Sequence, residues 1–571
     1  YRFSVLTGRA GTGKTTVLKV LIKGIEEKEG KKPILLLAPT GKARVRLQEI
    51  TGRDAQTIHQ FLMKLGWIKA DTFRLKEKGG RKQGASTIII DEASMIPLDL
   101  LATLFRAIDF NDVVRLILVG DHNQLPPIGP GRPFVDIIKW LESSEDSKKH
   151  LCCLTQRVRH EEKESQALEL ADAFLGDKFS PGDDEILSKV ARGEVSGDLE
   201  IHFWNDEKEL YDILYNALGK NLNFSKNGAS DYKSFNESLD PADKWQILSP
   251  TRMQFFGTTE INRLIQKKYR GGLIEKGRKK GPRPLGDQQI VGYDKVIQIV
   301  NRTRRERGRE YYIANGEIGR VVKAGKDKKG KNFIEVSFST QPEEKYRYYG
   351  NDDVNENLEL AYAITVHKSQ GSDFDFVFLI IPQNAGTMSR ELLYTGLTRF
   401  RKKMILLIEK DVNPLITFRN PQYSEVLKRN SNLFELAVCK EIIGVPHPER
   451  LIHRAKTGVL VRSKSEVIIA NILTDLGISY EYEKPLYSKK DPRDFRLPDF
   501  TIKYEGEEFY WEHLGMLEVP EYKKEWEGKE KWYKENDYID RLIISKEGPN
   551  GSIDSKEIER LAKEKILKIK S

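Results

Sequence analysis

The residues Gly8-Arg9-Ala10-Gly11-Thr12-Gly13-Lys14-Thr15 constrain this chain more than any other stretch. They fit G-x-x-x-x-G-K-[ST], and they follow an apolar run, Phe3–Thr7, and precede an amphipathic segment, Thr16–Lys28. Strand, glycine-rich turn and helix in that order aim backbone N–H groups around phosphate oxygens, and the helix adds the positive end of its dipole. Lys14 is expected to reach the β- and γ-phosphates of ATP. The Thr15 hydroxyl is expected to ligate Mg²⁺, with Gly8, Gly11, Thr12, Gly13 and Thr16 completing the cradle.

A turn of this kind needs a parallel sheet behind it. Phe3–Thr7, Ile34–Ala38, Thr87–Ile90 and Val114–Val119 read as its strands: short, continuous runs rich in Ile, Leu and Val, as expected where both faces are covered. The third run ends in Asp91-Glu92, at the strand tip where open α/β sheets bind ligands. Asp91 is expected to hold Mg²⁺ and Glu92 to polarise an attacking water, which favours hydrolysis. The fourth run ends in Gly120-Asp121-His122-Asn123-Gln124-Leu125-Pro126-Pro127. There Gln124 can touch the γ-phosphate, and the proline pair stiffens the outgoing loop.

The ordered set resembles a superfamily 1 helicase of the RecD-like group, over roughly residues 1–415. Ala38-Pro39-Thr40-Gly41-Lys42-Ala43-Arg44 resembles motif Ia, Thr57-Ile58-His59 the DNA-contact motif after it, and Asp91 to Met95 motif II. Gly120 to Pro130 resembles motif III, and Leu154 to His160 motif IV. Ser249-Pro250-Thr251-Arg252 with Gly257 to Asn262 resembles a stretch typical of the group. Ala361 to Gly371 resembles motif V, and Tyr394-Thr395-Gly396-Leu397-Thr398-Arg399 motif VI.

The resemblance implies two RecA-like domains with ATP between them: 1–150, with a small insertion at 61–86, and 151–415, with an SH3-like insertion at 290–357. Gln370 and Gly371 would help to hold the nucleotide. Arg159 (with Arg157 as competitor) and Arg399 would neutralise the transferring phosphoryl group from across the cleft. The resemblance also implies DNA contacts by Thr40, Lys42, Thr57, His59, Thr365, His367 and Lys368, and 5′→3′ movement. The 61–86 insertion falls where the family carries its strand-separating pin and is short. That favours translocation over robust unwinding.

Other readings concern loops and joints. Lys220–Asp240 is polar and reads as a loop or domain joint; Arg270–Pro284 and Arg302–Arg309 read as basic solvated loops suited to phosphate. Residues 290–357 hold short strand-like pieces, and 416–450 read as a helical linker.

The net charge is +10 with 32% charged residues, which suits a polyanionic partner. The longest apolar runs fall far below the ~18 residues that cross a bilayer, so no membrane is expected as a partner. Three cysteines build no disulfide framework, so a reducing, cytoplasmic or nucleoid-associated setting is expected. The chain opens on Tyr1, without a signal peptide, and is expected to begin inside a longer protein.

Residues 451–571 carry three acids in a second pattern. Glu466 lies on an amphipathic helix, Asp499 in Leu497-Pro498-Asp499-Phe500 entering a strand, and Glu512 in Tyr510-Trp511-Glu512-His513-Leu514 on the next strand. A hairpin can bring the last two together, and hard oxygen ligands suit Mg²⁺, with Mn²⁺ as an alternative. This block resembles a PD-(D/E)xK, restriction-endonuclease-like nuclease, with Glu466, Asp499 and Glu512 as metal ligands and the last two catalytic. It departs at Leu514, where the motif has lysine. Lys524 or Lys529 of the following helical segment, or His513, are the substitutes.

The fold class is thus α/β throughout: two P-loop domains, a β insertion and a nuclease-like domain. The expected activity is an ATP-dependent DNA translocase coupled to a metal-dependent nuclease, in DNA processing, repair or defence, with protein partners in such a complex. One alternative is a motor whose C-terminal domain only docks DNA or a partner. Another is a nucleotide-gated scaffold that binds nucleic acid without moving.

Overall fold

The computed structural model describes residues 2–69, 74–76, 78–156, 165–175, 183–224, 228–306, 309–429, 433–434, 453–457, 459–461, 463–491, 493–515, 517, 520–548 and 553–568. These fall into two compact units. The first holds the described residues of 1–165, 198–410 and 429–436; the second holds those of 166–197, 411–428 and 437–571.

The first unit contains two parallel sheets. One is built from β1 (Phe3–Gly8), β2 (Ile34–Ala38), β3 (Ala55–Thr57), β4 (Thr87–Ile90), β5 (Arg115–Gly120) and β6 (Leu151–Leu154), in the order β3-β2-β4-β5-β1-β6. Its strands are apolar without alternation because both faces are covered. Ile88 and Ile90 enter one core cluster, and Ile89 between them enters the other. The order places β4, β5 and β1 side by side, so Asp91-Glu92, Asp121 and the glycine-rich turn emerge along one edge.

The second parallel sheet has the order Ala363–Thr365, Trp245–Ser249, Phe374–Ile381, Phe400–Glu409, Leu199–Trp204. Between its strands, Lys295–Gln298, Ile318–Lys326, Asn332–Phe338, Gln341–Tyr349 and Leu358–Leu360 form a five-stranded antiparallel sheet.

The second unit has a four-stranded sheet in the order Tyr480–Tyr482, Phe500–Tyr504, Glu507–Leu514, Leu542–Lys546. Helices Lys464–Asp475 and Ser555–Lys565 supply Ile469, Leu473 and Ile558 to the cluster holding Phe500 and Trp511. Trp532 and Tyr533 of the helix Pro520–Glu535 pack with Tyr510, the neighbour of Trp511 that points to the opposite face.

Several expectations need correction. The boundary at 150 cuts short the first sheet, whose edge strand β6 ends at Leu154. The span 151–415 is interrupted, because Gln166–Gly197 belongs to the second unit. Within Lys220–Asp240, Gly228–Ser238 is a helix, anchored by the fully buried Phe235, whose ring stacks on Tyr269 at 3.8 Å. Arg270–Pro284 is a loop only at its end: the helix Thr258–Lys279 takes up its first ten residues. Arg270 is fully buried, donating to Tyr293 O at 2.7 Å beside Asp294. A basic residue reads as solvated until tertiary structure supplies the acid. Arg302–Glu306 and Arg309–Ile313 form a hairpin where a loop was expected. Of the linker, Asn413–Arg419 and Glu425–Lys428 are helical, and 435–450 lies outside the described residues. Among the described residues no helix is long and apolar enough to cross a membrane.

Candidate functional site

The glycine-rich turn reaches the helix Lys14–Glu29 through Gly11 and Gly13 in left-handed conformation, φ 83° and 75°, which side chains with a Cβ resist. The Thr12 hydroxyl ties the turn by donating to Arg9 O at 2.9 Å. Thr15 is buried and Thr16 exposed on the first turn of the helix. Lys14 folds back, its ammonium donating to Gly8 O at 2.7 Å and Arg9 O at 3.1 Å.

Around this turn lie groups with unmet capacity. Glu92 sits at φ 50°, an uncommon conformation for a residue with a side chain and one found disproportionately at functional sites. Its Oε2 is buried with no hydrogen-bond partner, and so is Gln124 Oε1. Gln124 Nε2 leans on Asp121 Oδ2 at 3.4 Å. Buried oxygens without donors are costly, about 1–3 kcal/mol each, and suit a site completed by a ligand.

The second sheet closes over this edge through the helix Arg390–Leu397. Tyr394 OH donates to Asp121 Oδ2 at 2.9 Å and accepts from Ala10 N at 3.2 Å. Leu125 N donates to Thr395 Oγ1 at 2.9 Å, and Gln370 Nε2 donates to Leu125 O at 3.0 Å. Gly371 lies against Thr40. Arg399 is buried, donating to the carbonyls of Thr395 and Ser372 and to Thr398 Oγ1. Burial lowers its pKa from the ordinary value, opposed by Glu92, Asp373 and Asp121. Arg399 therefore feels the carboxylates of the nucleotide edge. Arg157 and Arg159 lie outside the described residues. Sequence reasoning quoted Tyr394 and Thr395 but gave them no role.

The residues fit a divalent ion with the nucleotide: the Thr15 hydroxyl and Asp91 are hard oxygen donors on one edge. Burial first, then Glu92, pushes the Asp91 carboxyl up to about 6 from 3.8, with Arg46 and Lys14 opposing. A raised carboxyl binds its proton more tightly folded than unfolded. It therefore costs no stability below about pH 4, a growing amount from 4 to 6, and about 3 kcal/mol above that. Asp91→Asn is expected to raise the melting temperature of the nucleotide-free protein by several degrees at pH 8, to lose that advantage at pH 4, and to abolish ATP hydrolysis. Calorimetry at both pH values checks it.

The expected DNA contacts divide. Thr40 and Thr57 cap helices, accepting from Ala43 N at 3.2 Å and Gln60 N at 3.1 Å, and Thr57 is 1% exposed. Lys42 pairs with Asp243 at 3.0 Å and lies over the Phe374 ring. Thr57 and Lys42 thus have partners within the protein. Burial lowers the pKa of His59, opposed by Asp99, and that of His367, assisted by Arg429. Both imidazoles are neutral at pH 7. Thr365 and Lys368 line a small cleft with Arg252, Thr258, Thr259 and Glu359, and Lys368 pairs with Glu359 at 2.9 Å.

In the second unit the register Phe500↔Trp511, continued by one residue, sets Asp499 opposite Glu512. Asp499 Oδ2 accepts from His513 N at 2.6 Å. Burial first, then Glu512 and Glu466, pushes the Asp499 carboxyl well above the usual range. Burial also raises Glu512, with Lys529 opposing. Lys529 comes from the helix Pro520–Glu535 and lies 2.9 Å from Glu512 Oε1, which also accepts from Tyr533 OH at 2.7 Å.

Lys524 is exposed, and His513 turns to the other face, its Nδ1 2.8 Å from Ser545 Oγ. Of the three substitutes for the missing lysine, only Lys529 meets the acids. Glu466 is held by Ser463 Oγ at 3.0 Å and Tyr482 OH at 2.7 Å. Among the described residues no three His, Cys, Asp or Glu side chains converge on one ion position, so the expected three-carboxylate set is not assembled. Asp499 and Glu512 remain a two-carboxylate, hard-oxygen pair.

Comparison with known proteins fits this geometry. Residues 1–130 match the family described as AAA domain, and 360–407 match the UvrD-like helicase C-terminal domain. These two stretches are the ones that carry the glycine-rich turn and the Tyr394–Arg399 segment. It is 32% identical over 584 residues to an uncharacterized protein of Methanocaldococcus jannaschii, covering 94% of this chain and 47% of that protein. It is 26% identical to the RecBCD enzyme subunit RecD of Buchnera aphidicola subsp. Schizaphis graminum, covering 71% of this chain and 70% of that one. It is 28% identical to the ATP-dependent RecD2 DNA helicase of Deinococcus radiodurans, covering 71% and 46%. The chain thus spans about half the length of the first and the last of these relatives.

Proposed function

We propose that this protein is an ATP-dependent DNA translocase and helicase of the RecD type, moving 5′→3′ on single-stranded DNA, and that its second unit is a metal-dependent DNA nuclease. The observation that carries the motor reading is the meeting of Lys14, the unpartnered oxygens of Glu92 and Gln124, and the buried Arg399 along one seam between two parallel sheets. The printed name of the Deinococcus relative, a DNA helicase, supports the same reading.

In this mechanism the turn and Lys14 bind the triphosphate. A Mg²⁺ ion held by Thr15 and Asp91 would supply charge neutralisation at the phosphates. Glu92 orients and deprotonates water; Gln124 senses the γ-phosphate. Tyr394, Thr395 and Gln370 already link the second sheet to Asp121, Ala10 and Leu125. Loss of the γ-phosphate at Gln124 is therefore felt at Leu125, the next residue, and through it by the second sheet. Alternating closure and release of this seam moves the Thr365–Lys368 end of the second sheet along the strand. Hydroxyls and neutral imidazoles there bind phosphates without reading bases. The five-stranded antiparallel sheet takes the place of the family's SH3-like insertion.

The test is displacement of streptavidin from biotinylated oligonucleotides. ATP-dependent displacement from the 3′ end, and not the 5′ end, supports the reading; ATP hydrolysis with no displacement from either end overturns it in favour of a nucleotide-gated scaffold. A second reading of the C-terminal unit, docking of DNA or a partner, is favoured by one observation, that among the described residues no three ligating side chains converge on one ion position there.

A further inference from the structure

The segment Gln166–Gly197 lies in sequence between the two motor sheets, yet it belongs to the second unit. It brings one acid to the Asp499–Glu512 pair. Asp184, on the helix Asp183–Arg192, is 3% exposed. Its Oδ2 accepts from Leu497 N at 3.1 Å and lies 3.2 Å from Lys529 Nζ. Lys529 in turn donates to Leu497 O at 2.9 Å and pairs with Glu512 at 2.9 Å. The Lys529 ammonium thus donates to Leu497 O and forms ion pairs with both Asp184 and Glu512.

The arrangement is a closed ring. Asp184 grips both the N–H of Leu497, two residues before Asp499, and the lysine that grips the same residue's carbonyl. Asp184 Oδ1 is buried with no hydrogen-bond partner, an open acceptor beside the acids. The rest of the segment is fastened to the same unit: Ser188 Oγ donates to Asp494 Oδ1 at 2.7 Å, and Arg192 pairs with Asp494 at 2.6 Å.

We propose that Asp184 is a positioning residue of the second unit's catalytic site, holding the Lys529 ammonium against Glu512 and fixing the approach of Asp499. This rests on the nuclease reading and deepens it. The site is then not a separable C-terminal domain, because part of it is carried by the segment joining the two motor sheets.

Two measurements on the 571-residue chain test it. In the first, without metal or DNA, lysines are acylated by a brief pulse of an N-hydroxysuccinimide ester and quantified by peptide mass spectrometry. Asp184→Asn is expected to raise labelling of Lys529 at least tenfold, Asp184→Glu to restore protection substantially, and Glu185→Gln, an exposed neighbour on the same helix, to change nothing. Unchanged Lys529 labelling in Asp184→Asn overturns the inference. So does equal labelling in Asp184→Asn and Asp184→Glu. In the second, cleavage of single-stranded DNA is followed with Mg²⁺ or Mn²⁺. Asp184→Asn is expected to lower kcat at least a hundredfold with little change in KM, shift the pH profile, and leave ATPase intact. Wild-type cleavage matched by Asp184→Asn across the pH range overturns the inference while sparing the nuclease reading. A wild-type protein that cuts nothing overturns the nuclease reading and with it a catalytic role for Asp184. If Asp184→Asn does not fold, the comparison of Asp184→Glu with wild type decides: both labelling and kcat must shift in the stated directions, by smaller factors.

Discussion

Replacing Lys14 with alanine abolishes ATP hydrolysis, with kcat falling at least about 10³-fold, a barrier rise of about 4 kcal/mol. The size follows from where the charge is needed. In phosphoryl transfer the protein does little covalent chemistry, and catalysis comes from positioning and from charge placed against the phosphate oxygens. The turn's backbone N–H groups supply partial charges, and Lys14 is the full positive charge carried by the turn's own motif. Its ammonium now rests on Gly8 O and Arg9 O. Those contacts tether the side chain beside the cradle, so it moves to the phosphates without a large reorganisation. The same contacts show why the fold survives. Gly8 is the last residue of β1, and its carbonyl and that of Arg9 lose one side-chain donor each, worth about 1 kcal/mol apiece at most. Nucleotide-free binding of single-stranded DNA should remain within about twofold of wild type, because Lys14 lies on the nucleotide edge and not among Thr365, His367 and Lys368. Turnover with single-stranded DNA, measured beside a melting curve and a binding isotherm, separates lost chemistry from lost structure. Near wild-type turnover in Lys14→Ala would refute the nucleotide site.

Much of the motor was legible in the sequence because its signals are local. A buried parallel strand must be continuously apolar, so Ile34–Ala38 and Thr87–Ile90 stand where the pattern puts them. The glycine-rich turn and Asp91-Glu92 sit at strand tips for the same reason. What failed was whatever depends on partners distant in sequence. Arg270 reads as solvated because nothing nearby announces Asp294. Asp184 is the extreme case, 313 positions from the backbone N–H it accepts. No periodicity can mark a residue whose only peculiarity is its neighbour in space. The Asp499–Glu512 hairpin was readable because thirteen residues is a local distance. The choice among Lys524, Lys529 and His513 was not. It turns on the spacing of Trp526, Lys529 and Tyr533 along one buried helix face, and on the alternation that sends His513 to the other side of the sheet.

Asp499→Asn is expected to eliminate metal-dependent DNA cleavage, by at least about 10³-fold, while leaving ATPase within about twofold and the melting of the second unit unchanged or raised. The argument is electrostatic. Asp499 and Glu512 are opposed on one face of a buried hairpin, and the pair is neutralised only in part from within. Lys529 pairs with Glu512 and Asp184 and partly offsets the rise of Asp499, which accepts the N–H of His513. Its carboxyl is therefore pushed well above the usual range, by burial first and by Glu512 next. By the sign rule for raised carboxyls, its charge costs stability at every pH above its ordinary value, and asparagine removes that cost while still accepting from His513 N. A residue that weakens the fold at neutral pH, in a place where an amide would serve the fold better, is explained by chemistry and not by packing. A hard divalent cation held by Asp499 and Glu512 would remove the same penalty, so Mg²⁺ or Mn²⁺ should raise the wild-type melting temperature and leave that of Asp499→Asn unmoved. Calorimetry with and without metal, read beside cleavage of single-stranded, duplex and tailed DNA, gives both halves of the test. If metal stabilises both proteins equally and neither cuts any DNA, the two carboxylates are a relic of a nuclease fold, and the second unit docks rather than cleaves.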